Sequence, residues 1–275
     1  MGLARLRLQP DAGKPLRLAL EAMGTRFELV LDDPAHQGAG EMALERIAEE
    51  DARLSAFRND SLVSLINREG RKGPVALDAE FLELLDLCRE VHEASDGAFD
   101  PMLGHRMAVL GFRGEATRDE GDPIQLDLGA VGKGWALDRA VEILKEEGVE
   151  TALLHGGTST VVALGHPPKS PEGWGIRTRE WVDGEGETVF LRDAALSVSS
   201  CHGRTIKRDG KSIGHVLDPR TGEPVPGPRS ALAVADSAAL ADAWATALLV
   251  LGEVPTHTPL HRARVSSPPR EEKKP

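Results

Sequence analysis

The most apolar stretch of the chain lies near its C-terminal end, between Ala235 and Gly252. From Ser237 to Leu251 it carries a single charged side chain, that of Asp242. A helix that is apolar on nearly every side is typical of a buried helix. The pattern therefore predicts a buried helix, with Asp236 as its N-cap residue and Gly252 as the residue that ends it.

Two oxygen-bearing side chains interrupt this apolar helix. Asp242 and Thr246 are four residues apart, which places them next to each other on one helix face. A buried carboxylate costs free energy unless it is paired or coordinates a cation. Two interpretations stay open from this helix alone: a polar pair that neighbouring backbone groups satisfy, or two hard oxygen ligands for a metal ion.

The rest of the chain alternates between strand and helix patterns. Apolar residues recur at helical spacing over residues 40–57 and 78–93, and Ser61 is placed to cap a short helix through Ile66. Residues 25–31 are rich in β-forming side chains. Residues 124–148 predict a strand, a glycine-rich turn and a helix from about Lys133 to Glu147. After this helix the pattern predicts short strands and hairpins.

Composition narrows the possible functions. The chain has 275 residues, a formal net charge of -11 and no tyrosine. A nucleic-acid partner is not expected, because phosphate backbones need a cationic surface and unpaired bases stack on aromatic side chains. Cys88 and Cys201 lie far apart and form no metal-binding pair, so both are expected to be structural thiols. No membrane span or signal peptide is recognisable, and a cytoplasmic location is expected.

The glycine-rich turn from Gly129 to Gly134 is the second chemical feature. A strand-to-helix junction of this kind exposes backbone amides and the positive end of a helix dipole, which suits a phosphate group. Lys133 adds a positive charge, but neither a Walker motif nor a dinucleotide fingerprint is present. The turn is therefore either a phosphate site or a folding turn that uses glycine for its backbone freedom.

Several other polar residues allow two interpretations. His215 is either a general base or a strand-end histidine bonded to backbone. The turn at His155 to Gly157 is either an anion nest or a tight turn. Asp100 and Asp127 are either ligand anchors or ordinary structural carboxylates, whereas Asp218 and Thr221 are expected to be turn residues.

The order of the motifs resembles the ApbE family, the FAD:protein FMN transferases. The resemblance covers about Ala22 to Gly252 and rests on seven short motifs in the family's order. These are MGT (23–25), SAFRNDSLVSLIN (55–67), DGAFDP (96–101), LDLGAVGKGWALD (126–138), HGG (155–157), HVLDPRTGEPV (215–225) and ADAWATALLVLG (241–252).

The resemblance implies an α+β fold, with mixed or antiparallel sheets and packed helices. It also implies a Mg²⁺-dependent enzyme that cleaves FAD and attaches FMN to a threonine of an acceptor protein through a phosphoester bond, releasing AMP. The implied metal ligands are the Ala130 carbonyl, Asp242 and Thr246, and the implied catalytic residues are His215, Asp242 and Lys133. Flavin contacts would fall on Met23, Phe57, Ala98, Phe99, Asp100, Asp127, Lys133, Leu217 and Ala245.

The sequence also departs from the family pattern. Phe57 stands where tyrosine is usual, His155 and Thr158 replace residues that are commonly Asn and Asp, and residues 102–125 form a shorter segment than usual. Because of these departures two alternatives remain: an FAD pyrophosphatase that gives FMN and AMP, and an FAD-binding relative without turnover. The expected organisation is an arm at residues 1–20, one flavin transferase domain at residues 21–255 and a disordered tail at residues 256–275.

Overall fold

The computed structural model describes residues 15–110, 112, 125–178, 186–201, 205–208 and 211–266. Its strands, in chain order, are β1 (Leu16–Ala22), β2 (Thr25–Leu31), β3 (Ala152–Gly156), β4 (Thr160–Leu164), β5 (Trp174–Arg177), β6 (Thr188–Leu191), β7 (Ala194–Ser200), β8 (Thr205–Arg208), β9 (Lys211–Gly214), β10 (Ser230–Ala235) and β11 (Arg262–Ser266). Its helices are α1 (Gln37–Leu54), α2 (Leu62–Glu69), α3 (Ala79–Ala94), α4 (Gly104–Val109), α5 (Gly132–Glu146) and α6 (Ala238–Leu251).

A seven-stranded sheet organises this part of the chain. Its strands lie in the order β1-β2-β3-β4-β7-β10-β11, and every neighbouring pair is antiparallel. The hairpins β5-β6 and β8-β9 form two further two-stranded sheets. Strands and helices are segregated rather than alternating in parallel βαβ units, so the α+β prediction is confirmed.

The helices predicted from apolar spacing are present, within about three residues of their expected ends. Ser61 caps α2 by accepting a hydrogen bond from the Ser64 N–H at 3.0 Å. Asp78 caps α3 in the same way, through the Phe81 N–H at 2.8 Å. Each side chain satisfies a donor that the first helical turn would otherwise leave unpaired.

One face of the large sheet carries the helices. Phe27, Leu29 and Leu154 point from the sheet into a core shared with α1 and α5, where Ile47 and Leu137 are fully buried. A second cluster joins α3 to α6 around Trp244. The opposite face of the sheet is covered by the β5-β6 hairpin, through Val189 and Leu191. Helix α6 therefore lies inside the molecule, against the sheet, α3 and α5.

Helix α6 ends as predicted but begins one residue later than predicted. Gly252 ends it in the left-handed region, with a φ of 77°. The N-cap is Ser237, whose side chain accepts a hydrogen bond from the Leu240 N–H at 3.1 Å, so the expectation for Asp236 was wrong. Asp236 instead lies at the surface and contacts the His261 ring at 2.7 Å.

The strand predicted at residues 124–128 is also wrong for residues 125–128, which are the part of it that the structure describes. Gln125 forms only an isolated bridge with Leu103, and residues 126–128 have no strand partner. The Asn67 side chain takes the place of a strand: its Oδ1 accepts from the Leu126 N–H at 2.7 Å and its Nδ2 donates to the Leu126 carbonyl at 3.0 Å. The Asp127 N–H donates to the Pro101 carbonyl. These contacts satisfy the backbone without a sheet.

Both edge strands of the large sheet reach beyond the expected domain boundaries. β1 begins at Leu16, inside the expected arm, and pairs with β2 along its whole length. β11 lies inside the expected tail and pairs with β10. The sheet therefore uses segments on both sides of residues 21–255. Within the part of the chain that is described, no helix combines the length and the apolar character needed to cross a membrane.

Candidate functional site

A cleft of about 2070 Å³ opens where the N-terminal end of α5, the middle of α6 and the β1-β2 turn meet. With one exception, every residue predicted for the site lines this cleft: Met23, Phe57, Ala98, Phe99, Asp100, Asp127, Ala130, Lys133, His215, Leu217, Asp242 and Thr246. The exception is Ala245, which is fully buried in the core around Trp244. Residues from distant parts of the sequence thus share one cavity.

The Asp242 carboxylate accepts four hydrogen bonds in this cleft. Only 3% of the residue is exposed. Its Oδ1 accepts from the Ser197 hydroxyl at 2.9 Å and the Thr160 hydroxyl at 3.2 Å. Its Oδ2 accepts from Lys133 Nζ at 3.2 Å and from the Gly134 N–H at 3.3 Å. Local backbone groups alone therefore do not explain the buried carboxylate, because a cation and two side-chain hydroxyls converge on it.

The register of the sheet places both hydroxyls under α6. Thr160 on β4 is directly opposite Ser197 on β7, so their side chains share one face of the sheet. Thr160 begins the otherwise apolar β4, Ser197 is the first of three serines in β7, and both are fully buried. Sequence reasoning missed these two residues. A hydroxyl residue next to apolar β-forming residues is a weak local signal, and the pairing of β4 with β7 comes from the fold.

Thr246 lies one helical turn beyond Asp242 and is partly exposed to the cleft. Its hydroxyl donates to the Asp242 backbone carbonyl at 3.3 Å and lies 3.4 Å from the Ser199 hydroxyl. Both separations are long for bonds between oxygen atoms. The hydroxyl oxygen therefore keeps the capacity to act as a ligand on the cleft side of α6.

The turn before α5 is built by its own backbone and by Asp127. The Asp127 Oδ1 accepts from the Gly129 N–H at 2.9 Å, and the Gly132 N–H donates to the Leu128 carbonyl at 2.7 Å. Helix α5 then starts at Gly132 without a side-chain cap. The N–H groups of Gly132 and Gly134 already have partners, so the attraction for a phosphate group at this end of α5 comes from the helix dipole and from Lys133.

Gly134 has a packing role that the phosphate interpretation did not include. A Cβ at this position would lie 2.2 Å from the Ala238 carbonyl oxygen. The absence of a side chain lets α5 approach α6 closely enough for the Gly134 N–H to reach Asp242. At Gly132, by contrast, a Cβ would lie 3.7 Å from its nearest neighbour, Leu54 Cδ1, which is an ordinary van der Waals contact.

The residues present fit a hard divalent cation. Asp242, Thr246 and Ala130 all line the cleft and offer a carboxylate, a hydroxyl and a backbone carbonyl, the oxygen donors that Mg²⁺ prefers. The ammonium of Lys133 lies 3.2 Å from Oδ2, so the Asp242 carboxylate is already paired with one positive charge. Among the described residues no group of three or more His, Cys, Asp or Glu side chains forms a metal cluster. A cation here would therefore rely on further oxygens from water or a bound ligand.

The turn between β1 and β2 brings a residue with unusual backbone geometry into the cleft lining. Met23 and Gly24 form the two-residue turn between β1 and β2, with φ values of 51° and 68°. Positive φ at both positions is the signature of a type I′ hairpin turn, and it is unusual for methionine. Phe57 is 55% exposed beside this turn in the cleft lining. Phe99 lies buried, with its carbonyl 2.9 Å from His92 Nδ1.

The loop after β9 brings His215 to the cleft. Its ring lies edge-on to Phe112, with centroids 6.5 Å apart and planes at 64°. Arg106 on α4 donates from Nε to the Gly222 carbonyl at 3.1 Å and so anchors the loop. Arg220 bonds Asp218 at 2.7 Å, and this guanidinium lowers the pKa of the Asp218 carboxyl. Asp218 is thus a turn residue, as expected.

His155 lines the cleft on β3, opposite Glu28 of β2. Burial lowers the pKa of its imidazole, so the neutral ring is favoured at pH 7. The Gly157 N–H after it donates to the Arg26 carbonyl at 3.0 Å, and a Cβ at Gly157 would lie 2.4 Å from Thr25 Oγ1. The motif therefore forms a tight turn against β2, and this N–H is already used.

Asp138 is a further residue that sequence reasoning missed. It lies on α5 but accepts from the Ala238 and Ala239 N–H groups of α6, at 2.7 and 2.8 Å. At the other end of α6, Arg229 donates to the Leu249 and Val250 carbonyls at 2.8 and 3.1 Å. Side chains from outside α6 therefore match its dipole at both ends, which fixes the helix that carries Asp242.

Comparison with known sequences gives a family match. A model of the ApbE family matches residues 23–122 and 114–262. The FAD:protein FMN transferase of Buchnera aphidicola subsp. Schizaphis graminum is 23% identical over 274 residues, which cover 87% of this chain and 81% of that protein. The FAD:protein FMN transferase of Treponema pallidum is 28% identical over 251 residues, covering 75% of this chain and 69% of that one.

Solved structures agree in fold. The ApbE protein of Thermotoga maritima is 25% identical and superimposes with a TM-score of 0.75, covering 87% of each chain. The flavin transferase ApbE of Vibrio cholerae is 23% identical with a TM-score of 0.74, covering 87% of this chain and 88% of that one. The family match spans most of the chain; it begins after β1 and includes every residue that lines the cleft. This protein therefore belongs to the ApbE family.

Proposed function

We propose that this protein is a Mg²⁺-dependent FAD:protein FMN transferase, which attaches FMN through a phosphoester bond to a threonine of an acceptor protein and releases AMP. One observation carries the proposal: Asp242, Thr246, Lys133 and the uncapped start of α5 meet in one cleft with His215. The transferase names of the relatives support the same activity.

The cation would be held by the Asp242 carboxylate, the Thr246 hydroxyl and the Ala130 carbonyl. A bound Mg²⁺ would offset the negative charge that builds up as the pyrophosphate is cleaved. The protein's own contribution is to hold these oxygens ready on α6 and on the turn before α5. The long Lys133–Asp242 contact of 3.2 Å leaves the ammonium free to turn towards a phosphate.

Different residues of the cleft would bind the two halves of the donor. Met23, Phe57 and Phe99 contribute apolar side chains to the lining, which suits the isoalloxazine ring of FAD. The start of α5 and Lys133 suit the pyrophosphate, because amide dipoles and an ammonium both favour anions. Asp100 and Asp127 line the cleft between them and offer acceptors for flavin polar groups.

In the transfer step a threonine hydroxyl of the acceptor attacks the phosphorus on the FMN side. The new oxygen–phosphorus bond forms as the bond to the bridging oxygen breaks, and that oxygen leaves with AMP. His215 would take the hydroxyl proton, and its position in the cleft lining, partly exposed, supports this role. Lys133 would hold the phosphates in line for this displacement.

The test is incubation of the purified protein with FAD, Mg²⁺ and a candidate acceptor protein. The proposal predicts covalent flavin fluorescence in the acceptor band of a denaturing gel, together with AMP in the supernatant. Free FMN plus AMP without a labelled band would instead identify an FAD pyrophosphatase. Recovery of intact FAD in every reaction would contradict the proposal and indicate a flavin carrier.

A further inference from the structure

The two oxygens of the Asp242 carboxylate have unlike partners. Oδ1 accepts from Ser197 at 2.9 Å and from Thr160 at 3.2 Å, and both hydroxyl residues are fully buried. An ionised carboxylate offers about two lone-pair sites per oxygen. Both sites on Oδ1 are therefore engaged by donors that solvent does not reach.

One partner of Oδ2, Lys133, lines the cleft. The partners of Oδ2 are Lys133 Nζ at 3.2 Å and the Gly134 N–H at 3.3 Å, which are both long contacts. The Lys133 side chain is 24% exposed, so it can swing away without opening the core. Oδ2 is thus the oxygen that can be released to an incoming cation.

The two hydroxyls are fixed with respect to each other. Thr160 and Ser197 are directly opposite each other on adjacent strands in the middle of the sheet, and their hydroxyl oxygens are 3.1 Å apart. A hydroxyl that turned from Asp242 towards its neighbour would exchange a hydrogen bond to an ionised carboxylate for a weaker one to a neutral oxygen, which costs free energy. The carboxylate therefore keeps one orientation, with Oδ1 towards the sheet.

We propose that Thr160 and Ser197 are positioning residues that restrict Asp242 to ligation through one oxygen and so make the site selective for Mg²⁺ over Ca²⁺. Ca²⁺ takes six to eight oxygen ligands and readily accepts both oxygens of one carboxylate. Mg²⁺ needs near-ideal octahedral geometry, which favours one oxygen from each carboxylate. The inference rests on the proposed function, because it takes Asp242 as a ligand of the cation.

The test is the ratio of the dissociation constants for Ca²⁺ and Mg²⁺. MgCl₂ and CaCl₂ are titrated separately into metal-free protein in a calorimeter. The wild type should bind Mg²⁺ more tightly. In Thr160→Val/Ser197→Ala both oxygens of Asp242 become available, and the ratio should fall by about tenfold or more, the scale on which residues behind metal ligands act.

Two control variants, Thr160→Ser and Ser266→Ala, separate positioning from a general effect on the core. Thr160→Ser keeps the hydroxyl and should keep the wild-type ratio, whereas Thr160→Val alone should lower the ratio. Ser266→Ala removes an equally buried serine at the edge of the same sheet, on β11, and should also leave the ratio unchanged. Thr160→Val is nearly isosteric, so it carries the test even where the double variant does not fold.

An unchanged ratio in Thr160→Val and in the double variant would overturn the inference, as would an equal fall in Thr160→Ser or Ser266→Ala. If the wild type binds Mg²⁺ and transfers FMN while the ratio stays unchanged, only this inference fails. If the wild type shows no saturable Mg²⁺ binding, the metal part of the proposed function fails and this inference fails with it.

Discussion

Replacing Lys133 with methionine removes the cation nearest to Asp242 while keeping much of the side-chain volume. The carboxylate would keep three donors: the hydroxyls of Thr160 and Ser197 and the Gly134 N–H. It would lose its only positive partner among the contacts to the described residues. The metal-free protein should therefore become less stable, and its need for an added cation should increase.

The size of the effect follows from the burial of the pair. Removing one partner of a fully buried ion pair costs about 3–5 kcal/mol. Lys133 is 24% exposed and three donors remain on the carboxylate, so we expect a loss of about 1–3 kcal/mol in the free energy of unfolding. For a chain of this size that corresponds to a fall in Tm of about 3–9 °C.

The assay is thermal unfolding, followed by circular dichroism, with a chelator and with Mg²⁺. Because the cation no longer competes with the ammonium, Mg²⁺ should raise the Tm of Lys133→Met by more than it raises that of the wild type. Lys145→Met is the matched control: Lys145 is exposed in the last turn of the same helix, and its removal should change stability by less than about 1 kcal/mol. Equal Tm values for Lys133→Met and the wild type under chelation would refute this reasoning, as would a smaller Mg²⁺ effect on the variant.

Three further predictions concern the frame around the site. Gly134→Ala should lower the free energy of unfolding by more than about 3 kcal/mol in urea denaturation, because its Cβ would lie 2.2 Å from a backbone oxygen of α6. Gly132→Ala is the control and should have a smaller effect. An equally small effect of both substitutions would contradict the close packing of α5 against α6. Asn67→Ala should cost about 1–3 kcal/mol in the same assay, because both backbone groups of the buried Leu126 lose their partner; no change would contradict that role. Burial raises the pKa of Asp138 to about 6, above an unfolded value of about 3.9, so its contribution to stability is full below pH 4 and falls as the pH rises to 6. The stability of the wild type minus that of Asp138→Asn should accordingly fall by about 2 kcal/mol between pH 4 and pH 7, and a constant difference would exclude the raised pKa.

The sequence supported the element types well, because apolar spacing and capping residues are local signals. The buried helix α6, the cap Ser61 and the helix after the glycine turn are all present. The error at Asp236 was also local. Asp236 and Ser237 are adjacent and can both cap a helix, but in the structure Ser237 is the cap and Asp236 lies at the surface in contact with His261.

The wrong strand and the missed site residues have a different cause. The Asn67 side chain stands in for a neighbouring strand, and no local pattern reveals a partner 59 residues away. Thr160 and Ser197 meet Asp242 because β4 pairs with β7 in one register, which depends on the whole sheet. Motif order indicated which residues share the cleft, but it could not give the donors behind Asp242.

If Asp242 holds the cation that FMN transfer requires, its removal should abolish the reaction. This is measured as AMP release from FAD with an acceptor protein, compared between the wild type and Asp242→Ala over a range of Mg²⁺ concentrations. The wild type should release AMP in a Mg²⁺-dependent manner and the variant should release none, while circular dichroism shows the variant still folded. Mg²⁺-dependent release by a folded Asp242→Ala protein at the wild-type rate would show that Asp242 does not hold this cation.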